Sequence, residues 1–393
     1  MPIPLTDLRN ASELLGVSTS TLKPFREYDP WNNHSLAGYI CSQNDKHYGA
    51  LVIIQINDTP VVPQVIYGMP KIQYPFAKTD TGERNYHPIP DDTHDIIKAE
   101  KWDGTNICAY TYRHVTGPSH CKICIAYKTR LTAILRGDST YGNFRAMWDE
   151  VNPVRPGSAY YDALIQHNVH LCFELCGYKN PHTVKYSFPL EAKYLVSVRK
   201  NGTLTHPEGI RVLGNFIDEY EQARKNAEIL NTMYEDDVIY TEGSVFYLIR
   251  GNGFATPFKC KPESVEKLHW MSSTIEPGAV YTTVVNALEN MDYTELTVEN
   301  VLPLFQEEYT EEQISRSMIR IEKAIAQVVG HIEWVQRVRR VADSLVGNTS
   351  QPIDKGILMK YMSDFFARTE MRQVYSALRE IGYLDYFEKK ERS

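Results

Sequence analysis

The chain has 393 residues, 42% of them hydrophobic and 23% charged, with a formal net charge of −7. That length predicts two or three ordinary globular domains, and the negative balance excludes a globally basic nucleic-acid coat while leaving room for a local basic site. No apolar run approaches the ~18 residues of a membrane helix, no charged-then-apolar leader follows Met1-Pro2-Ile3-Pro4, and seven cysteines, an odd number, read as reduced thiols in a cytoplasm-like compartment.

Residues 1–70 form a small β-rich region. Strands are expected at Tyr48–Ile56 and Val61–Tyr67, rich in Val and Ile and bounded by Asn-Asp and Gly. Residues 71–95, rich in Pro, Asp, Thr and His, read as a loop or linker. The body then alternates β-rich runs with turns: Ile107–Tyr112, Cys121–Thr129, Val169–Leu175, Tyr194–Arg199, Val238–Tyr240 and Ser244–Ile249. Helices are expected at Phe144–Glu150 and Phe216–Leu230. The expected class is α+β with a largely antiparallel sheet over 71–270.

From residue 271 the pattern becomes helical. Thr310-Glu311-Glu312-Gln313 is a capping-box pattern. Ile314, Met318, Ile321, Ile325, Val328, Ile332 and Val335 then follow alternating steps of four and three, a long helix with one apolar seam. Gly347 is the expected stop, with Pro352 beyond it. Two shorter helices are expected near Ile353–Arg368 and Thr369–Ile381. Packing within the chain is the simpler use of the seam, and a homodimer through this all-helical domain, 271–393, is the sharper one. The domain carries more Asp and Glu than Lys and Arg, so it is no basic nucleic-acid arm.

Cys121 and Cys124 form a CxxC, but an alternating strand would point the two thiols to opposite faces, which disfavours zinc. Cys108, Cys172, Cys176 and Cys260 read as core filler. His114, His120, His167 and His170 share no metal-ligand spacing.

The sharpest feature is Glu100-Lys101-Trp102-Asp103-Gly104-Thr105-Asn106, which leads from a loop into a strand. A lysine at such a turn is a positioned amine. To attack phosphorus or a carbonyl it must first lose its proton, which nearby cations and burial favour. Trp102 reads as packing at the turn. Alone, Lys-x-Asp-Gly is a common surface turn. An ordered set of downstream residues gives it weight. Thr129-Arg130 ends the next strand, and Arg130 rather than Arg136 is chosen for that reason. Glu174 lies inside an apolar run, where an unpaired carboxylate is costly. Glu242-Gly243 opens a strand, and Lys259 and Lys261 alternate so that both amines would share a face.

This ordered set resembles the covalent nucleotidyltransferase superfamily of polynucleotide ligases and RNA capping enzymes. Lys101-Trp102-Asp103-Gly104 is similar to its nucleophile motif and Thr129-Arg130 to the arginine motif. Phe173-Glu174-Leu175-Cys176-Gly177 is similar to the third motif, Glu242-Gly243-Ser244-Val245 to the Glu-Gly strand, and Phe258-Lys259-Cys260-Lys261 to the closing Lys-x-Lys. Within the superfamily the chain resembles ATP-dependent RNA ligases. Asn106 is similar to an asparagine found in RNA ligases, and the stretch Leu171–Tyr186, with Asn180 before an aliphatic-Lys-Tyr run, resembles the phage T4 RNA ligase 1 type, whereas Gly68-Met69-Pro70-Lys71-Ile72 and the helical tail also resemble archaeal RNA ligases. Both branches stay open.

The chain departs from the pattern in places. The barrel that comes after Lys-x-Lys in DNA ligases and capping enzymes is replaced by a helical tail, and Asp354-Lys355 lacks the arginine of that barrel's motif. Val196 occupies the likeliest position for the residue stacked on adenine, where the family has an aromatic. Val115–His120 widens the gap between Lys101 and Arg130.

The resemblance implies a nucleotidyltransferase core with ATP and Mg²⁺ (or Mn²⁺) as cofactors and RNA 5′-phosphate and 3′-hydroxyl ends as partners. Lys101 would form lysyl–AMP. Lys259 and Lys261 would offset phosphate charge, Glu174 would hold the ribose, and Glu242, with Glu174, would place a metal. Glu100 would lie beside the nucleotide. Arg130 would contact the ribose or the RNA 5′-phosphate, and Asp103 and Asn106 would orient the sugar and the RNA ends. Lys71 fits either the β- or γ-phosphate of ATP or a surface position. The alternatives are a DNA ligase or capping guanylyltransferase, and a non-catalytic RNA-end-binding protein. Cleaved tRNA, circularisation and viral RNA all fit as substrates, in the host cytoplasm if the chain is viral.

Overall fold

A computed structural model describes residues 5–383 except 44, 79–83, 118–119, 138–143, 181, 234–238, 271–274, 276, 308, 310 and 349–353. The Met1–Pro4 stretch, Val238, Thr310 and Pro352 lie outside the described residues. Two compact units divide the chain: Met1–Gly137 with Gly142–Ser272, and Asp138–Tyr141 with Ser273–Ser393.

The first unit opens with helix α1 (Leu5–Leu15) and four strands, β1 (Leu22–Asp29), β2 (His34–Cys41), β3 (Leu51–Ile56) and β4 (Thr59–Ile66). They form an antiparallel sheet in chain order. Asn57 and Asp58 both take positive φ, 51° and 60°, the pattern of a tight hairpin turn between β3 and β4. So the 1–70 region holds a helix and two strands beyond those expected. The expected linker also carries structure: β5 (Phe76–Lys78) and β6 (Arg84–Tyr86) form a ribbon, and β7 (Thr93–Glu100) begins within it.

The rest of the unit is β8 (Thr105–Gly117), β9 (His120–Lys128), α2 (Phe144–Val151), α3 (Ala159–Gln166), β10 (Val169–Cys176), β11 (Glu191–Arg199), β12 (Leu204–Thr205), β13 (Ile210–Val212), α4 (Phe216–Thr232), β14 (Ser244–Arg250), β15 (Ala255–Cys260) and α5 (Glu263–Trp270). These eight strands and β7 form one antiparallel sheet, in the order β13-β7-β14-β15-β12-β11-β10-β8-β9. The class is α+β. Lys261 falls just past the end of β15 rather than on the strand with Lys259.

Alternate residues of the large sheet feed different cores. Cys108, Tyr110 and Tyr112 of β8 join the core shared with α1 and the small sheet. Ile107 and Ala109 face a second core built with Phe144 and Trp148 of α2 and Leu164 of α3. On β14, Val245 and Tyr247 enter the first core, while Phe246 and Leu248 pack under Phe216 and Tyr220 of α4. A sheet covered on both faces needs apolar residues at every position. That is why these strands read as continuous runs.

The second unit contains α6 (Pro277–Ala287), α7 (Val298–Phe305), α8 (Glu311–Asn348), α9 (Lys355–Met362) and α10 (Met371–Glu380). The seam of α8 is buried within the chain. Ile314, Ile321, Ile325, Val328 and Ile332 pack with α6 and α7. Val335, Val338 and Ala342 pack with Leu358 and Met362 of α9 and Val374 and Leu378 of α10. The helix runs one residue past Gly347, the expected stop. Among the described residues no helix is long and apolar enough to cross a membrane.

Candidate active site

β7 pairs with β14, Glu100 lying opposite Ser244. That register carries Lys101 to the start of the Glu242-Gly243 turn, where its backbone N–H donates to Gly243 O at 3.0 Å. Gly243 sits at φ +114°, and a Cβ there would lie 2.0 Å from Cys260 O. Only glycine allows this approach of the two strands. Gly104 is needed for a different reason: a Cβ would lie 2.2 Å from Leu175 O, because the lysine turn passes directly against β10.

The Lys101 amine ion-pairs with one oxygen of Glu242. Lys261 binds the other oxygen at 3.0 Å. All three side chains are mostly shielded from solvent. Burial alone would raise the Glu242 carboxyl, but the charges of Lys101 and Lys261 outweigh it and hold it at about 2. Two cations share one carboxylate, so the cluster keeps a net positive charge suited to an anion.

Beside it lies a cavity of about 190 Å³. Glu100, Lys101, Asn106, Arg130 and Glu174 line it, with apolar surface from Met69, Ile72, Leu195 and Val245. Asn106 is buried and donates through Nδ2 to Phe173 O at 3.3 Å and Glu174 Oε2 at 3.4 Å. Burial pushes the Glu174 carboxyl up to about 7, against the opposing pull of Arg130, Lys101 and His182. Burial also raises Glu100, with Lys193 opposing.

Five of the expected residues thus line one cavity, and Glu242 and Lys261 join them through Lys101. The others lie elsewhere. Asp103 is turned toward the 177–190 segment: its carboxylate accepts from Val184 N at 2.7 Å, and its own N–H donates to Tyr186 Oη at 2.8 Å. Burial and the Glu242 charge raise it. Lys259 is buried with its amine 4.6 Å from the Tyr74 ring centre. Ile72, not Lys71, lines the cavity, and Lys71 is half-buried beside it. Val196 is fully buried in the first core. A β-bulge at Cys172/Phe173 advances β11 by a residue, and Tyr194 and Leu195 line the cavity in its place. Cys121 is exposed and Cys124 buried, on opposite faces of β9.

Two features went unread in the sequence, and a third, Asn180, carried no assigned role there. Trp102 lines the cavity instead of only packing the turn, and the Lys193 amine lies 4.7 Å from its ring centre. Asn180 clasps the turn region by donating to Leu175 O at 2.7 Å and Thr105 Oγ1 at 3.0 Å. Lys128 is fully buried, and its amine donates to Thr129 O at 2.7 Å and Arg130 O at 3.0 Å. It fixes the backbone that presents Arg130. Its position was legible: Cys124, Ala126 and Lys128 share one face of β9, so the alternation already placed this lysine inward.

No protein-family model matches the chain, and no curated protein matches it.

Proposed function

We propose that this chain is an ATP-dependent RNA ligase that seals 5′-phosphate and 3′-hydroxyl ends through lysyl–AMP and RNA-adenylate intermediates. The observation that carries the reading is the Lys101–Glu242–Lys261 cluster beside a cavity lined by Glu174 and Arg130. A surface turn lysine has no need of a buried carboxylate, a second buried lysine and an adjoining cavity. In this reading the nine-stranded sheet with its flanking helices is the nucleotidyltransferase core.

The resting ion pair ties the Lys101 amine to Glu242, so the amine leaves that carboxylate and gives up a proton to water before it attacks. It then forms a P–N bond to the α-phosphorus of ATP, and the P–O bond to pyrophosphate breaks. Lys261 and Lys259 offset the phosphate charge. Glu174, held by Asn106, binds the ribose, and Arg130 takes the ribose or the incoming 5′-phosphate. Lys71 is the candidate for the outer phosphates. Asp103 keeps the turn docked on the 177–190 segment and so sets where Lys101 and Asn106 stand for the sugar and the RNA ends. AMP passes to the RNA 5′-phosphate, and the 3′-hydroxyl displaces it.

Among the described residues no group of three or more His, Cys, Asp or Glu gathers to hold a metal. Both Glu242 oxygens are bound by lysines, so a magnesium ion placed by Glu242 with Glu174 would need Lys101 to leave first and would take its remaining oxygens from phosphates and water, the usual arrangement for Mg²⁺. Such an ion would offset charge on the phosphates.

Incubation with labelled ATP or GTP and a divalent ion tests the reading. Covalent AMP on Lys101, lost in excess chelator, is the expected result. Covalent GMP would turn the reading to a capping guanylyltransferase, and no label to an RNA-end-binding protein.

A further inference from the structure

A cavity of about 950 Å³ lies away from the lysine cluster. Its walls are β4 from Thr59 to Val65, the far end of β8, the start of β9 and the C-terminal end of α3. Thr105, beside the lysine turn, and Arg113, in the groove, are eight residues apart on β8, roughly 27 Å along an extended strand.

Charge sets this groove apart. The chain carries a net charge of −7, yet no Asp or Glu is among the residues described as lining the groove, while Arg113, His114 and Lys200 are. Burial lowers the Lys200 amine and the Arg113 charge lowers it further, with no lining carboxylate to offset them. Two like charges held together in a half-buried groove suit an anion.

The groove is also built. Gln64 accepts from Arg113 N at 2.7 Å and donates to Arg113 O at 2.8 Å, so its side chain stands in for a strand partner and ties β4 to β8. This fixes the Arg113 backbone and leaves the guanidinium outward. β4 is an edge strand carrying Pro60 and Pro63. Proline cannot donate to a ladder, so the edge is ill suited to adding a peptide strand. Val62, Val115 and Ile123 are exposed there and offer apolar contact along the groove.

We propose that this groove binds the body of a single-stranded polynucleotide, with Arg113 and Lys200 on its phosphates and its sugars and bases against Val62, Val115 and Ile123. The choice of RNA as that strand rests on the ligase reading; the phosphate chemistry does not. The site would grip the strand at a distance from its reacting end.

The test uses the full chain and a fluorescent 20-nucleotide RNA with a 5′-hydroxyl, which cannot be adenylylated. Binding is followed by polarisation at several salt concentrations for the wild type and for Arg113→Ala/Lys200→Ala. Removing two phosphate contacts should lower the slope of log K against log salt by about 1.4, at roughly 0.7 per contact on a single strand. Affinity should fall by about tenfold or more, while AMP labelling and the thermal melt stay as in the wild type. Unchanged affinity and slope in the double variant, or no binding by the wild type, would overturn the proposal. So would competition by inorganic phosphate or by polyglutamate as strong as that by unlabelled RNA, since the site would then take small or generic anions. A DNA strand that binds as well as RNA keeps the groove and removes the choice of RNA. Because the probe cannot react, absence of AMP labelling would sink the ligase reading without touching this result.

Discussion

Beneath and beside the nine-stranded sheet, Lys128, Glu242, Lys259 and Lys261 are all buried; among the described residues of the helical unit the buried polar side chains are Gln313 and Ser317. Burying a charge costs several kcal/mol unless it is paired, and the first unit does so repeatedly. The helical unit is instead held by apolar seams, Ile321 and Val328 at one end of α8 and Val338 and Ala342 at the other. One unit keeps charges that weaken a core unless they perform chemistry, and the other keeps almost none. Changes to buried charges in the first unit should therefore alter nucleotide chemistry, and changes to the helical core should not.

The largest expected effect is at Lys101. Lys101→Ala removes the proposed nucleophile, and covalent AMP should fall by on the order of 10³-fold or more. Sealing of a pre-adenylylated RNA should survive in part, because that step does not use the amine as nucleophile. Full labelling of the alanine variant would sink the assignment.

Glu242→Gln comes next and reads stability as well as chemistry. The folded carboxyl sits at about 2 against an ordinary 4.5. A depressed carboxyl stabilises the fold fully above its unfolded value and loses that contribution as pH falls through the folded one. The Gln variant should be about 3 kcal/mol less stable than the wild type at pH 7. The gap should shrink between about pH 4.5 and pH 2. Urea melts across that window check it, and a gap that stays constant would show that the lysine pair is not its source. Labelling should fall too, since Lys101 and Lys261 would face each other without a carboxylate.

These buried charges also mark where the sequence was legible. The order Lys101, Arg130, Glu174, Glu242, Lys261 is readable because four of them sit at strand ends or turns and Glu174 interrupts an apolar strand. The strands β8, β10 and β14 are readable because both faces are covered and the runs are continuous. β1 is not: Leu-Lys-Pro-Phe-Arg-Glu-Tyr-Asp holds one proline and no Val or Ile, and its burial does not alternate cleanly. Its strand state is set by pairing with β2, a tertiary effect that local propensity does not carry. The β-bulge that puts Tyr194 and Leu195 in the cavity in place of Val196 is likewise a register event. Counting along the strand in steps of two passes over it.

Glu174→Gln should have a smaller effect of opposite sign. The wild-type carboxyl is raised to about 7 from 4.5. The unfolded chain ionises first, so wild-type stability falls as pH rises from about 4.5 to 7. Glutamine has no such loss. Relative to the wild type, the variant should gain roughly 1–3 kcal/mol between pH 5 and pH 8. Thermal melts at the two pH values measure it. A gain in the other direction would mean that Arg130 and Lys101 outweigh burial at this carboxyl.

The smallest expected effect is the sharpest test of the division between the units. Ile275 belongs to the helical core, its N–H donates to Ser317 Oγ at 2.8 Å, and Arg320 donates to its carbonyl at 2.9 Å. A truncation should therefore end at residue 272, where the first unit ends, since a cut after 275 would leave that residue without its partners. If the helical unit serves RNA choice or assembly, the truncated chain should take AMP within about twofold of the wild type, given that independent sites act additively. Sealing of its preferred RNA should fall. The truncation needs a cooperative melt as its folding control. In the intact chain, Ile321→Ala offers a companion that removes no residues. It should destabilise the helical unit by about 2–5 kcal/mol and leave lysine labelling untouched. A truncated protein that melts cooperatively yet takes no AMP would show that the helical unit completes the nucleotide site. The apolar seams would then serve the same chemistry as the buried charges, and the two units could not be assigned separate tasks.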